Sequence, residues 1–334
     1  MRMAMIGLGK MGGNMVRRLR RAGIEVVGFD RDAKTVSALA DETGMIAAAS
    51  VIDAVAKLAA PLKKLDGPPR EFLGPLGGEP SEARFSGGAR IVWLMLPSGA
   101  ATEDQLRELV SKLSTGDIVV DGGNSNYRDG QRRGAMLAEQ GIGFMDAGTS
   151  GGVWGLENGY CLMVGATPEV AEVVEPILKA LAPAPDRGWA HVGPVGAGHY
   201  SKMIHNGIEY GMMQALAEGL DLLKGKQEFN FDLAQVTELW RHSSVVRSWL
   251  LDLTAEGLKN DQELADIAPF VSDSGEGRWT VIDAIEQGIP APVLTMALQM
   301  RFASQDEKGY SYRLLSLMRN AFGGHAVKKA KSGK

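Results

Sequence analysis

The chain has 334 residues, 45% hydrophobic and 23% charged, with a formal net charge of −4. That length holds two domains or one large one, and the charge balance lacks the basic excess that would point to nucleic acid or an anionic membrane surface. The single cysteine, Cys161, excludes an intrachain disulfide and suits a reducing compartment; no apolar run approaches the roughly 20 residues that span a bilayer, and glycines interrupt the start MRMAMIGLGKMGG, so a cytoplasmic protein is expected.

The first predicted strand, Met3 to Ile6, runs into Gly7-Leu8-Gly9-Lys10-Met11-Gly12, and a helix is expected from Gly12 to Ala22. A G-x-G-x-x-G between strand and helix is the context of a dinucleotide fingerprint. Gly7 permits the tight turn, Gly9 lets the backbone approach a pyrophosphate, and Gly12 lets the helix pack close. The helix N-terminus then offers N–H groups to phosphate. Leu8 and Met11 belong to the same loop. The second strand, Glu25 to Phe29, leads to Asp30, 18 residues after Gly12. An acid there accepts hydrogen bonds from ribose hydroxyls and repels a 2′-phosphate, so NAD is favoured over NADP. Arg31, next door, could pair with that phosphate or stack on adenine.

Pro61 to Gly88 holds five prolines and six glycines. Compact α/β units connect in about 2–6 residues, so this stretch is predicted to be a surface insertion without catalytic residues. Further strands are expected at Ile91 to Leu96, Ile118 to Val120, Gly143 to Met145 and Cys161 to Val164, with helices at Thr102 to Leu113 and Tyr127 to Gln140. Alternation of this kind builds a parallel sheet with crossover helices. Two polar turns follow strands: Asp121-Gly122-Gly123-Asn124-Ser125 and Thr149-Ser150-Gly151-Gly152. Both fall at carboxyl ends of strands, where open α/β sheets bind ligands; Leu96, at the end of its own strand, is a further coenzyme candidate. Cys161, in YCLMVG, is expected to pack in the core.

From about Gly193 strand-like runs give way to helical patterns: Leu233 to Trp240, Val245 to Thr254, Thr280 to Glu286, Val293 to Phe302 and Tyr312 to Asn320. The prediction is an α/β Rossmann-type dinucleotide-binding domain over 1–192, with the insertion at 61–88, followed by an all-α domain over 193–334. The stretch GAGHYSKMIHNGIEYGMMQ, Gly196 to Gln214, opens the second part. It reads as a buried helix through Met203, Ile204, Ile208, Met212 and Met213, yet it contains Lys202, His205, Asn206 and Glu209. At about 100° per residue, Asn206 lies about 40° from Lys202, and Glu209 about 20° to the other side. They form one polar stripe with His205 at its edge. Such a stripe is either a solvent face or, with glycine-rich flanks that admit other backbones, a set of groups turned into a cleft. Arg319 and His325, in RNAFGGH, read alone as surface, and the tail KKAKSGK as a solvated end. His199 and His205 lack a carboxylate companion, and no metal site is expected.

GLGKMGGNM, DGGNSNY, GTSGGVWGLENGYCLMVG, VGAGHYSKMIHNGIEYGMMQ, WRHSSVVRSWLLDLTAE, DSGEGRWT and RNAFGGH together resemble the decarboxylating 6-phosphogluconate dehydrogenases, in particular their shorter, NAD-preferring branch. The resemblance covers nearly the whole chain. KMIHNGIEYGMMQ is its most specific element, and Pro61 to Gly88 is its departure. It implies oxidation and decarboxylation of 6-phospho-D-gluconate to D-ribulose 5-phosphate and CO2 with NAD, or NADP in its place. It implies that Lys202 takes the C3 hydroxyl proton and then supports the enolate oxygen, and that Glu209 protonates C1 of the enediol. Asn124, Ser150, Gly151, Gly152, His205 and Asn206 would touch substrate, Asn124 bordering the coenzyme as well. Tyr210, Arg278, Thr280, Arg301 and Arg319 would form the phosphate site. Arg319 and His325 would reach in from the partner subunit, which implies a homodimer or a tetramer built on it.

The chemistry agrees with those roles. A lysine acts as base once desolvation or a nearby cation weakens its hold on the proton. A β-keto acid needs only an electron sink to lose CO2, and an ammonium supplies one. Forked guanidinium donors suit phosphate. Arg278 stands where most longer-branch relatives carry lysine, and Trp279 is expected in the core. Other β-hydroxyacid dehydrogenases, such as those acting on 3-hydroxyisobutyrate, share the glycine loop, the Ser-Gly-Gly turn and the lysine, but generally lack the His-Asn-Gly-Ile-Glu-Tyr run and the Arg–His tail. A non-catalytic dinucleotide-responsive protein would not need Lys202 and Glu209 in register.

Overall fold

Apolar residues succeed one another without polar interruption in the first strands, the pattern of a sheet covered on both faces. The computed structural model describes residues 1–58 and 88–328. The expected insertion, apart from Gly88, lies outside the described residues, as does 329–334. Two compact units divide the chain, Met1–His205 and Asn206–Lys334.

The first unit contains β1 (Arg2–Ile6), α1 (Lys10–Arg21), β2 (Glu25–Phe29), α2 (Ala33–Thr43), β3 (Ile46–Ala47), α3 (Val51–Lys57), β4 (Ile91–Leu94), α4 (Ala100–Val110), β5 (Ile118–Asp121), α5 (Tyr127–Ala138), β6 (Gly143–Ser150), α6 (Gly155–Asn158), β7 (Cys161–Ala166), α7 (Pro168–Leu181) and β8 (Trp189–Gly193). Its sheet has the order β3-β2-β1-β4-β5-β6-β7-β8, parallel except for the β6–β7 pair. Chain order reverses between β1 and β4, the switch point at which such sheets open a ligand crevice. Along β1, Met3 and Met5 join one core layer with Trp93 and Val120, while Ala4 and Ile6 join the other with Val92 and Leu106. Side chains of Asp32, Ser50, Asn126 and Thr167 cap α2, α3, α5 and α7. These bonds satisfy first-turn N–H groups that the helices leave open.

The strands expected at 91–96 and 143–145 have different ends. β4 stops at Leu94, because Pro97 follows three residues beyond and cannot donate to a ladder. β6 continues to Ser150 by pairing antiparallel with β7, so Thr149 and Ser150 lie within a strand. Cys161, expected in the core, is exposed: it opens β7 opposite Ser150, while Leu162 and Val164 turn inward.

The helix α8 (Ala197–Gly225) starts in the first unit and continues into the second, which adds α9 (Leu233–Trp240), α10 (Trp249–Asn260), α11 (Glu276–Gln287), α12 (Pro292–Gln305) and α13 (Tyr310–Gly323). α10 starts four residues later than expected, because the Ser248 hydroxyl caps it by accepting from the Leu251 N–H at 3.1 Å. α11 starts four residues earlier, directly after Gly275 at φ +95°. Small apolar clusters hold this unit: Tyr210 with Ala297 and Leu298, and Leu220 with Leu233 and Leu258. The expected apolar burial of α8 is inverted in part. Met203 is buried, but Ile208 is 50% exposed while Lys202 is only 9% exposed. Met212 and Met213 are exposed as well.

Candidate active site

The glycine loop between β1 and α1 has the geometry a pyrophosphate requires. Gly7 has φ +94° and donates its N–H to the Phe29 carbonyl at 2.9 Å. A side chain at Gly7 would strike the Met95 carbonyl, and one at Gly12 would strike the Gly7 carbonyl. Gly9, by contrast, faces open space and begins α1 with no side-chain cap. Asp30 sits beside the loop, its Oδ2 accepting from the Leu8 N–H at 2.7 Å and its Oδ1 from the Asp32 N–H at 2.9 Å. The carboxylate is thus fixed, with lone pairs left for ribose hydroxyls. Arg31 is exposed beside it, and Met11 packs against the core. The loop, the open approach at Gly9 and the anchored acid fit a dinucleotide.

Asn124 is exposed on the turn after β5. A side chain at Gly123 would lie 2.5 Å from the Leu96 carbonyl, so Asn124 and Leu96 flank one another at adjacent strand ends. Asp121 holds this turn: Oδ1 accepts from the Gly123 N–H at 3.1 Å, and Oδ2 pairs with Arg133 at 2.7 Å, both side chains 1% exposed. Arg133 continues to Ser125 and Glu103. Hydrogen bonds from Arg132 and then Arg133 hold the Glu103 carboxyl below the ordinary range.

Ser150 ends β6, and Gly151 and Gly152 follow it at φ +128° and +52°. Lys202 reaches the same strand. A side chain at Gly148 would sit 2.5 Å from the Lys202 Cβ, so the lysine stem lies directly on the β6 backbone. Buried Asp146 fixes the start of α8, its Oδ1 accepting from the Gly196 N–H at 2.6 Å and its Oδ2 from the His199 N–H at 2.7 Å. Burial pushes its carboxyl above the usual range. His205 is half-buried on the turn after Lys202.

In the second unit, Asn206, Tyr210, Arg278, Thr280 and Arg301 are brought together around Glu276. Asn206 Nδ2 donates to Glu276 Oε2, and the Ser274 hydroxyl donates to the same oxygen at 3.1 Å. The Tyr210 hydroxyl lies 3.2 Å from Ser274 Oγ, and its ring carries the Arg301 guanidinium 3.4 Å above its centre. Thr280 Oγ1 donates to the Glu276 carbonyl at 2.8 Å. Arg278 pairs with Asp273 at 2.9 Å, which draws the Asp273 carboxyl down, and it lies over the Phe302 ring. Glu209 is half-buried on α8. Arg319 is exposed and joins no hydrogen bond or ion pair among the described residues; His325 is exposed beyond α13. Trp279, expected in the core, is half-buried against Gly275. Asp146 and Glu276 escaped the sequence reading. The available signal for Glu276 was an acid opening a helix just after a glycine-rich turn.

Residues 2–67 and 73–193 match the NAD binding domain of 6-phosphogluconate dehydrogenase, and residues 198–334 match its C-terminal domain. The NAD(+)-dependent, decarboxylating 6-phosphogluconate dehydrogenase of Haloferax volcanii is 38% identical over 98% of this chain and 98% of its own length. The YqeC protein of Bacillus subtilis is 37% identical over 98% of this chain and all of its own length. Among solved structures, the 6-phosphogluconate dehydrogenase of Plasmodium falciparum superposes with a TM-score of 0.76 at 24% identity, covering 100% of this chain and 67% of that one. A 3-hydroxyisobutyrate dehydrogenase of Salmonella typhimurium shares the fold at a TM-score of 0.69 and 19% identity, over 92% of this chain and 95% of that one. The chain belongs to the 6-phosphogluconate dehydrogenase family.

Proposed function

We propose that the chain oxidises 6-phospho-D-gluconate at C3 and releases CO2 to give D-ribulose 5-phosphate, with NAD as coenzyme. The observation that carries this reading is the buried Lys202, laid on β6 next to the Ser150–Gly152 turn in a unit built for a dinucleotide. Gly7, Leu8, Gly9, Met11 and Gly12 would hold the pyrophosphate, Asp30 the ribose hydroxyls, and Arg31, Leu96 and Asn124 would border the site. NAD, when bound, accepts the hydride from C3. Asp30 and the NAD(+) dependence in the Haloferax relative's name both favour NAD over NADP.

Lys202 takes the C3 hydroxyl proton. As an ammonium it then polarises the C3 oxygen while the C1–C2 bond breaks, and its charge stabilises the enediolate left at C2 and C3. Glu209, seven residues on and about 20° around the helix axis, delivers a proton to the former C2, which becomes C1 of the product. Asn124, Ser150, Gly151, Gly152, His205 and Asn206 hold the sugar acid. Tyr210, Arg278, Thr280 and Arg301 take the phosphate.

A homodimer, or a tetramer built on it, is part of the same reading. Ile282, Ile285 and Ile289 on α11 and just beyond it, with Val293, Met296 and Met300 on α12, are 42–74% exposed. Apolar surface of this kind calls for a partner, and a second copy is the symmetric choice. Arg319 and His325 of that copy would complete the phosphate site. No nucleic acid or membrane partner is proposed: the net charge is −4, and no described helix is long and apolar enough to cross a membrane. The lone cysteine suits a cytoplasmic enzyme.

The test is NADH absorbance, with CO2 release followed in parallel, on mixing protein and NAD with 6-phosphogluconate or with 3-hydroxyisobutyrate. Signal with the first alone is the expected result; signal with the second alone would transfer the reading to the other β-hydroxyacid dehydrogenases.

A further inference from the structure

Glu276 has no part in the chemistry just described, yet it sits at the centre of the second unit's polar cluster. It is 2% exposed and opens α11. Among the described residues no cation pairs with its carboxylate. A buried carboxylate is costly unless its oxygens are hydrogen-bonded, and an apolar residue of similar size commonly serves folding as well. Here the donors are Asn206 Nδ2 and the Ser274 hydroxyl, and the α11 N-terminus adds the positive end of a helix dipole. Ser274 in turn meets Tyr210, its N–H donating to the phenol oxygen at 3.1 Å.

An amide has two unlike ends, and a carboxylate is an acceptor only. Glu276 therefore dictates which end of Asn206 it faces: Nδ2 turns toward the acid, and Oδ1 turns away. We propose that Glu276 is a positioning residue that sets Asn206 with its acceptor oxygen toward a hydroxyl of the sugar-acid substrate. Through Ser274 it also fixes the Tyr210 hydroxyl on the phosphate side. The inference rests on the reading of Asn206 as a substrate contact.

A double-mutant cycle on the full chain tests it. In N206D two acceptors oppose each other. In N206D/E276Q a donor is returned at position 276, while the introduced carboxylate still offers an acceptor to substrate. Steady-state kinetics and melting temperatures are measured for wild type, E276Q, N206D and the double variant. N206D is expected to raise the 6-phosphogluconate KM by about tenfold or more. The double variant should recover most of that loss, and the NAD KM should stay flat throughout. A double variant no better than N206D would overturn the proposal, as would parallel movement of both KM values with melting temperature, the mark of a merely structural bond. A wild type inactive on 6-phosphogluconate would overturn the function and this inference together; an active wild type with no coupling overturns this inference alone.

Discussion

On the proposed reading the chemistry turns on Lys202, which is buried, and burial favours the neutral amine that a base requires. Replacement by methionine keeps the stem that packs on β6 and removes only the proton acceptor. K202M should lower kcat by about 10²–10⁴-fold or more, the range of a positioned base, while a fluorescence titration gives near-normal NAD binding. Retained turnover would remove Lys202 from that role. The same reading gives Asp30 a role in coenzyme selectivity. Its two backbone partners hold it where a 2′-phosphate would be repelled. D30A should therefore narrow the ratio of kcat/KM for NAD over NADP by about tenfold, roughly the worth of one hydrogen bond to a charged group. An unchanged ratio would assign the preference to Arg31 or to the 61–88 stretch.

At the scale of elements, α8 can deliver Lys202 only because β6 offers a bare backbone at Gly148. G148A inserts a Cβ 2.5 Å from the Lys202 Cβ and 2.7 Å from the Gly198 carbonyl, so helix or strand must give way. Overpacking of this kind costs about 1–3 kcal/mol, and melting temperature and kcat should fall together. The α9–α10 pair shows a different device. Glu238 accepts from His242, Lys259 and Arg241, and these bonds hold its carboxyl down to about 2. A carboxyl depressed in the folded state contributes stability above its ordinary value of 4.5, and that contribution is lost as pH falls toward 2. E238Q should therefore be less stable than wild type in urea at neutral pH, with the gap closing as the pH is lowered from 4.5 toward 2. A gap that does not change with pH would mean that folding does not depress the Glu238 carboxyl. Most of these elements were legible in the sequence, because Val- and Ile-rich runs and their helical intervals have clear periods. β3, two residues long, is too short to have one, and β8 is an edge strand with His191 and Val192 exposed. The candidate site was legible through its motifs. Glu276 was not, because a single acid at a helix start has no period, and the role proposed for it depends on Asn206, 70 residues away.

For the whole molecule, the inverted exposure of α8 and the apolar faces of α11 and α12 raise the same question. Burial predicted from hydropathy is correct only for a surface whose partner lies within the chain, and Ile208, Ile285 and Met296 are exposed in the single chain. A second copy that covers them can also supply Arg319, which stands exposed on α13. Complementation separates that arrangement from one in which each chain uses its own arginine. K202M and R319A homodimers should each be nearly inactive. When the two are unfolded and refolded together, half the dimers are mixed. If Arg319 serves the opposite chain, one site of each mixed dimer pairs an intact Lys202 with an intact Arg319, and activity returns to about a quarter of wild type, as random assortment into two-fold dimers requires. If Arg319 serves its own chain, every site in every dimer keeps one lesion and the mixture stays inactive. Sedimentation of the mixture, run alongside, establishes that dimers have formed, so silence in the assay would place Arg319 in its own chain's site.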